Sequence, residues 1–128
     1  RLEAGSLLEA IAGVTRDGMT SLDMGGETLR VPALGVGAGT PVHLRVQARE
    51  VAIARERPER LSIRNVLPAK LVSIEFTESP FVELLLDVHG QHLRSRVTRE
   101  AVVDLGLREG QAVFALIKSV VFEGRLLN

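Results

Sequence analysis

Tight turns arrive so often along this chain that the elements between them have to be short. Asp17-Gly18 and Gly25-Gly26 punctuate the first half, and His89-Gly90 and Arg108-Glu109-Gly110 the second. An Asp-Gly pair supplies the left-handed backbone that a two-residue hairpin turn demands. The stretches between the turns alternate with a period of two. Leu22 and Met24 alternate with polar neighbours, Thr28 to Val31 follows suit, and Val42, Leu44 and Val46 fall on one face of residues 42–47. That period marks half-buried strands. Residues 6–14, with Leu7, Ile11 and Val14 among small and polar residues, fit either a strand or a short helix. The pattern is that of a short-stranded all-β chain.

Residues 48–60, charge-dense and interrupted by Pro58, read as a solvated connection. Beyond it the pattern returns. Strands are expected over 71–76, 81–88 and 91–97, with a turn at 77–80. Thr98 is an N-cap candidate for a helix of one to two turns that closes on Gly106, and a last strand is expected over 112–122. The halves align. Leu7 and Ile11 lie opposite Leu67 and Leu71, 60 residues on; Gly26, Leu29 and Arg30 lie opposite Gly90, Leu93 and Arg94, 64 on. Gly39-x-x-Val42 lies opposite Gly110-x-x-Val113, 71 on, the offset having grown across the helix that only the second copy carries. The chain therefore reads as two tandem copies of one small β-barrel unit. The first is degenerate and spans 1–54, a linker follows at 55–60, and the full unit spans 61–128.

Composition removes several functions. Lys+Arg and Asp+Glu are both 16, so the chain carries no net charge to draw nucleic acid or an acidic membrane. With four Phe, no Trp and no Tyr, it lacks the rings on which single-stranded nucleic acid stacks. The absence of Cys excludes disulfides and thiolate metal sites. His89 and His92 flank a turn with no third ligand in view and read as hairpin surface. Glu9, Glu75, Glu83 and Asp87 are scattered through strand patterns and form no acid–base pair. Gly35 to Thr40 lacks the Lys-Ser/Thr of a phosphate loop and precedes a strand, so it reads as a flexible turn. The chain opens on Arg1 rather than Met, which reads as a fragment or processed product.

The chemistry concentrates in Leu61-Ser62-Ile63-Arg64-Asn65-Val66-Leu67-Pro68-Ala69-Lys70. A hydroxyl, a guanidinium and an amide fall within four residues, and all three donate to small anions. A polar turn ahead of a strand would have the same composition. Read with Asp104-Leu105-Gly106-Leu107-Arg108-Glu109-Gly110 and Ile117-Lys118-Ser119-Val120, which follow in that order, the stretch resembles the Mop (molybdate/tungstate-binding) or TOBE-type domain. The likeness covers residues 61–122 well and 5–54 weakly, through the repeat. It is similar in particular to the C-terminal regulatory region of the ATP-binding subunit of ABC-type molybdate importers, where a degenerate unit precedes a full one.

The resemblance implies an OB-type five-stranded barrel that binds a tetrahedral oxyanion, molybdate or tungstate, between units or subunits. It implies anion contacts from Ser62 and Arg64 and from Lys118 and Ser119, a motif match at Asn65 that serves the turn or the ligand, and a polar contact at Thr98 given by a neighbouring subunit. Gln47-Ala48 stands in the first copy where Lys118-Ser119 stands in the second, so that copy is expected to act as scaffold. Arg64 and Lys118 would balance a dianion, with Ser62, Ser119 and backbone amides filling the other oxygens. Further expectations are a homodimer, an upstream ATPase domain and a permease partner at the inner face of the cell membrane, no ATP site in this stretch, and no enzyme activity of its own. Two readings compete: a free-standing storage or sensor protein of paired Mop units, and an OB-type nucleic-acid module, which charge and composition disfavour.

Overall fold

A computed structural model describes residues 5–125, and ten strands and one helix fall within them. The first copy supplies β1 (Gly5–Arg16), β2 (Met19–Met24), β3 (Glu27–Pro32) and β4 (Pro41–Gln47); a 3-10 turn, Ala48–Glu50, leads into β5 (Val51–Ala54). The second supplies β6 (Asn65–Phe76), β7 (Phe81–Val88), β8 (Gln91–Thr98), helix α1 (Arg99–Leu105), β9 (Ala112–Ile117) and β10 (Val121–Arg125). The all-β expectation, with one short helix in the second copy, holds.

The two copies use their long first strand in the same way. β1 pairs β4 with residues 5–11 and β2 with residues 11–16, and its register shifts between Ala12 and Thr15. β6 pairs β9 with residues 65–70 and β7 with residues 70–76, shifting between Leu71 and Ser73. An extra residue bends a strand and increases its twist, so one strand serves two neighbours and curls each sheet. Pro68 is tolerated in β6 because that strand has no β7 partner before Lys70.

The sheets run β10-β4-β1-β2-β3 and β5-β9-β6-β7-β8. Each copy thus sends its last strand into the other's sheet. β5 and β10 are thereby exchanged between the two sheets. Two expectations are corrected here. Residues 48–60 are not a plain connection, because Val51–Ala54 pairs with Phe114–Ile117; a four-residue strand beside a run of charges carries too little alternation to read. The single strand expected over 112–122 is two, broken at Lys118–Val120, where the chain leaves the second sheet and joins β4. β10 is fastened there by Arg45, whose pKa is raised by the hydrogen bond and then by the charge of Glu123.

Alternate residues of every long strand are buried, and they meet in one cluster fed by both copies: Leu8, Leu22, Leu29 and Leu44 from the first, Leu67, Leu71, Leu84 and Leu93 from the second. Burying each such Leu contributes about 1.5–3 kcal/mol. Side chains join the copies where backbone ladders do not. Asn65 Oδ1 accepts from Arg30 N at 2.7 Å while its Nδ2 donates to Arg30 O at 2.9 Å, so one amide pairs with the edge of β3 as a strand residue would. Gln91 does the same to Glu9 of β1 at 2.9 and 2.8 Å, beyond the end of β2. In the second sheet Ser95 Oγ donates to Val51 O at 2.6 Å, where β8 packs on β5 and turns the sheet towards a barrel.

Candidate functional site

Register decides which of the motif residues share a surface. Asn65 and Val51 both pair with Ile117, and all three point inward, with Asn65 only 7% exposed. One residue beyond the end of each strand stand Arg64, ahead of β6, Lys118, after β9, and Glu50, in the 3-10 turn before β5; Arg64 and Lys118 are exposed and Glu50 half-buried. Lys118 N donates to Glu50 O at 2.9 Å, continuing the pairing by one step. The result is a row at the strand ends, Arg64–Lys118–Glu50, with Ser119 next in sequence to Lys118 and Ser62 two residues before Arg64.

Arg64 and Lys118 are exposed, and neither has an acidic partner among the described residues. Arg64 makes one long bond, Nη1 to Leu61 O at 3.4 Å. It also lines an open cleft of about 280 Å³ with Arg57, Arg60, Ile63 and Val66, and the Arg57 guanidinium lies 4.8 Å from the centre of the Phe114 ring. Unpaired cations beside exposed hydroxyls and free backbone amides are what a small oxyanion requires. Ser119 is already engaged: its Oγ donates to Glu50 Oε1 at 2.9 Å, and Glu50 Oε2 lies 3.8 Å from Arg49 Nε.

Two other motif residues lie apart from this row. Asn65 turns its amide inward onto Arg30, with both ends of the amide bonded. Thr98 caps α1, accepting from Ala101 N at 3.1 Å, and among the described residues no bond joins it to Ser62, Arg64, Lys118 or Ser119. The helix ends on Gly106 in the left-handed region, φ 61°, and Leu107 N closes on Val102 O at 3.0 Å. A larger cleft, about 630 Å³, lies elsewhere, against Glu75, Phe81, Glu83, Arg94 and Arg96. There Arg96 Nε is paired to Glu83 at 2.6 Å, so its charge is already met. No group of three metal-ligating side chains occurs among the described residues.

Sequence reasoning missed Glu50, Arg57 and Arg60, which all fall in the stretch read as a solvated connection. The repeat held a signal for Glu50. Gln47-Ala48 aligns with Lys118-Ser119, so the two crossovers are equivalent and would be expected to meet.

Comparison with known proteins agrees with this architecture. Residues 61–121 match the TOBE domain. The chain is 42% identical over 118 residues to the molybdenum import ATP-binding protein ModC of Brucella abortus (strain 2308), a match spanning 91% of this chain and 33% of the relative. It is 42% identical over 106 residues to ModC of Mesorhizobium japonicum, 83% of this chain and 29% of that one. The chain thus spans about a third of the length of the curated relatives it matches. Among solved structures, the cytoplasmic molybdate-binding protein ModG, with molybdate bound, superposes with a TM-score of 0.79 at 28% identity, over 95% of this chain and 97% of that one. Residues 61–121 thus match the TOBE domain, within a chain similar over nearly its whole length to the C-terminal region of molybdenum import ATP-binding proteins.

Proposed function

We propose that the chain is the oxyanion-sensing part of a molybdate importer's ATPase subunit, binding molybdate or tungstate at Ser62, Arg64, Lys118 and Ser119. The observation that carries this reading is the exposed row of Arg64 and Lys118, two cations with no acidic partner among the described residues. The resemblance to ModC and ModG supports the choice of anion. Binding is reversible and needs no nucleophile or general base. Thr98, exposed and joined by no bond to the row among the described residues, completes the shell from a second copy of the chain, so the working form is a homodimer. Asn65 serves the site by fixing where the strand after Arg64 begins. In the parent complex the chain follows an ATPase domain and sits at the cytoplasmic face of the membrane through a permease. No helix among the described residues is long and apolar enough to cross a membrane.

One observation favours a second reading, a free-standing molybdate-binding protein: the superposition covers 97% of ModG. ATP turnover of the full-length complex that responds to molybdate supports the first reading, and turnover indifferent to it favours the second. The site itself is tested by calorimetric titration with molybdate, with sulfate as control. Arg64→Ala is expected to weaken binding about 10- to 100-fold, the range for losing a hydrogen bond to a charged group. Equal affinity in wild type and variant would refute the assignment.

A further inference from the structure

A carboxylate stands in the middle of a site that, on the reading above, takes an anion. Glu50 is the third member of the row, and it comes from the copy expected to be mere scaffold. Its backbone is fixed, since Glu50 O accepts from Lys118 N at 2.9 Å. Its side chain reaches across to Ser119, whose hydroxyl donates to Oε1 at 2.9 Å. A serine hydroxyl has one proton to give. An oxyanion such as molybdate, fully deprotonated, offers acceptors only. For Ser119 to bond it, that proton must leave Glu50, and a carboxylate is then left beside a dianion.

We propose that Glu50 is an affinity-determining residue of this site: its carboxylate competes with the oxyanion for Ser119 and holds binding below what Arg64 and Lys118 would otherwise give. The inference rests on the oxyanion reading of the site. In the same conformation Glu50 Oε2 lies 3.8 Å from Arg49 Nε, and the side chain is 25% exposed, so the carboxylate keeps a cation and water beside it when it gives up the Ser119 hydroxyl. The bound state then keeps Arg49 beside Glu50 and turns the Ser119 hydroxyl to the anion. Because Glu50 arrives through the crossover from β4 to β5 and Ser119 through that from β9 to β10, the competition joins the two copies at the point where their exchanged strands pass.

The test is molybdate titration of wild type, Glu50→Gln, Glu50→Ala, Arg64→Ala and the Glu50→Gln/Ser119→Ala double variant, with circular dichroism as the check on folding. Gln keeps the shape and an acceptor for Ser119 while removing the charge; Ala removes both. Glu50→Gln is expected to bind about tenfold tighter, the size of one charge-assisted hydrogen bond, and Glu50→Ala at least as tightly. Adding Ser119→Ala should abolish most of that gain, because a neutral amide holds the Ser119 hydroxyl less strongly than the carboxylate and yields it to the anion. Binding that is lost in Arg64→Ala yet unchanged or weakened in both Glu50 variants overturns the role of Glu50 and leaves the oxyanion site standing. Absence of binding in every variant, Glu50→Gln included, overturns the site reading and the Glu50 role with it.

Discussion

Arg64 and Asn65 are neighbours in one motif, and the structure gives them opposite duties that a stability measurement separates. Asn65→Ala removes an amide that is 7% exposed and bonded at both ends, at 2.7 and 2.9 Å, to the backbone of Arg30. Each such bond contributes about 1 kcal/mol net, and leaving a buried partner unmet costs about 1–3 kcal/mol. Arg30 is exposed on the edge strand β3, so water reaches part of what is uncovered, and the total settles at about 2 kcal/mol. That is roughly a 30-fold fall in the folded-to-unfolded ratio. Asn65→Asp should fare no better, because it keeps the acceptor for Arg30 N but turns a carboxylate oxygen towards Arg30 O. Arg64→Ala, an exposed side chain with one long bond, should stay within about 0.5 kcal/mol of wild type. Urea denaturation followed by circular dichroism is the assay, since the chain has no Trp or Tyr to report by fluorescence. An Asn65→Ala midpoint within about 0.5 kcal/mol of wild type at unchanged slope would refute the claim that this amide ties the copies together.

Two further substitutions probe the turns. Gly25 has φ +65°, and a Cβ there would meet His89 Cβ at 3.0 Å, so Gly25→Ala should lose about 2 kcal/mol, whereas Gly26, at φ +97° with nothing within 4 Å, should lose less when changed to Ala; thermal melts compare them. Thr98→Ala deletes the acceptor for Ala101 N and should cost about 1 kcal/mol, and Thr98→Ser should restore it.

Local chemistry explains what the sequence made legible. The turn at Gly25-Gly26 and its counterpart at His89-Gly90 both need left-handed backbone, and each is closed by an aspartate three residues back, Asp23 on Gly26 N and Asp87 on Gly90 N. Those residues repeat at a constant offset, so the duplication shows in the chain. Helix α1 was readable for the same reason, because Thr98 and Gly106 cap it from within the sequence. Inward and outward positions followed from alternation in β2 and β4 but not in β1, where Leu7, Ile11 and Val14 face outward and Leu8, Ala10 and Ala12 inward. The match of Leu7 and Ile11 to the buried Leu67 and Leu71 is therefore one residue out of step. Nothing local, however, says which sheet a strand will join. Val121 and Phe122 continue the apolar run of β9, yet they pair with Arg45 and Leu44 of the other copy. A period of two survives such a transfer unchanged.

That invisibility bears on the site as well as the fold. Read along the chain by periodicity alone, Lys118-Ser119 sits inside one long strand with alternating faces. In space it is a crossover, freed from β9 after Ile117 and not yet paired in β10, so the Ser119 side chain can turn towards a neighbour rather than stand in a ladder. The equivalent crossover of the first copy, Ala48–Glu50, is the nearest such neighbour, and the two meet in the bond from Lys118 N to Glu50 O. Exchange of strands therefore does two things at once. It makes each sheet depend on a strand from the other copy, and it brings a residue of the copy without the anion motif against the motif of the other. A chain with the same two units side by side and unexchanged would have no Glu50 beside Ser119. The copy without the Lys-Ser pair thus places Glu50 against Ser119 of the other.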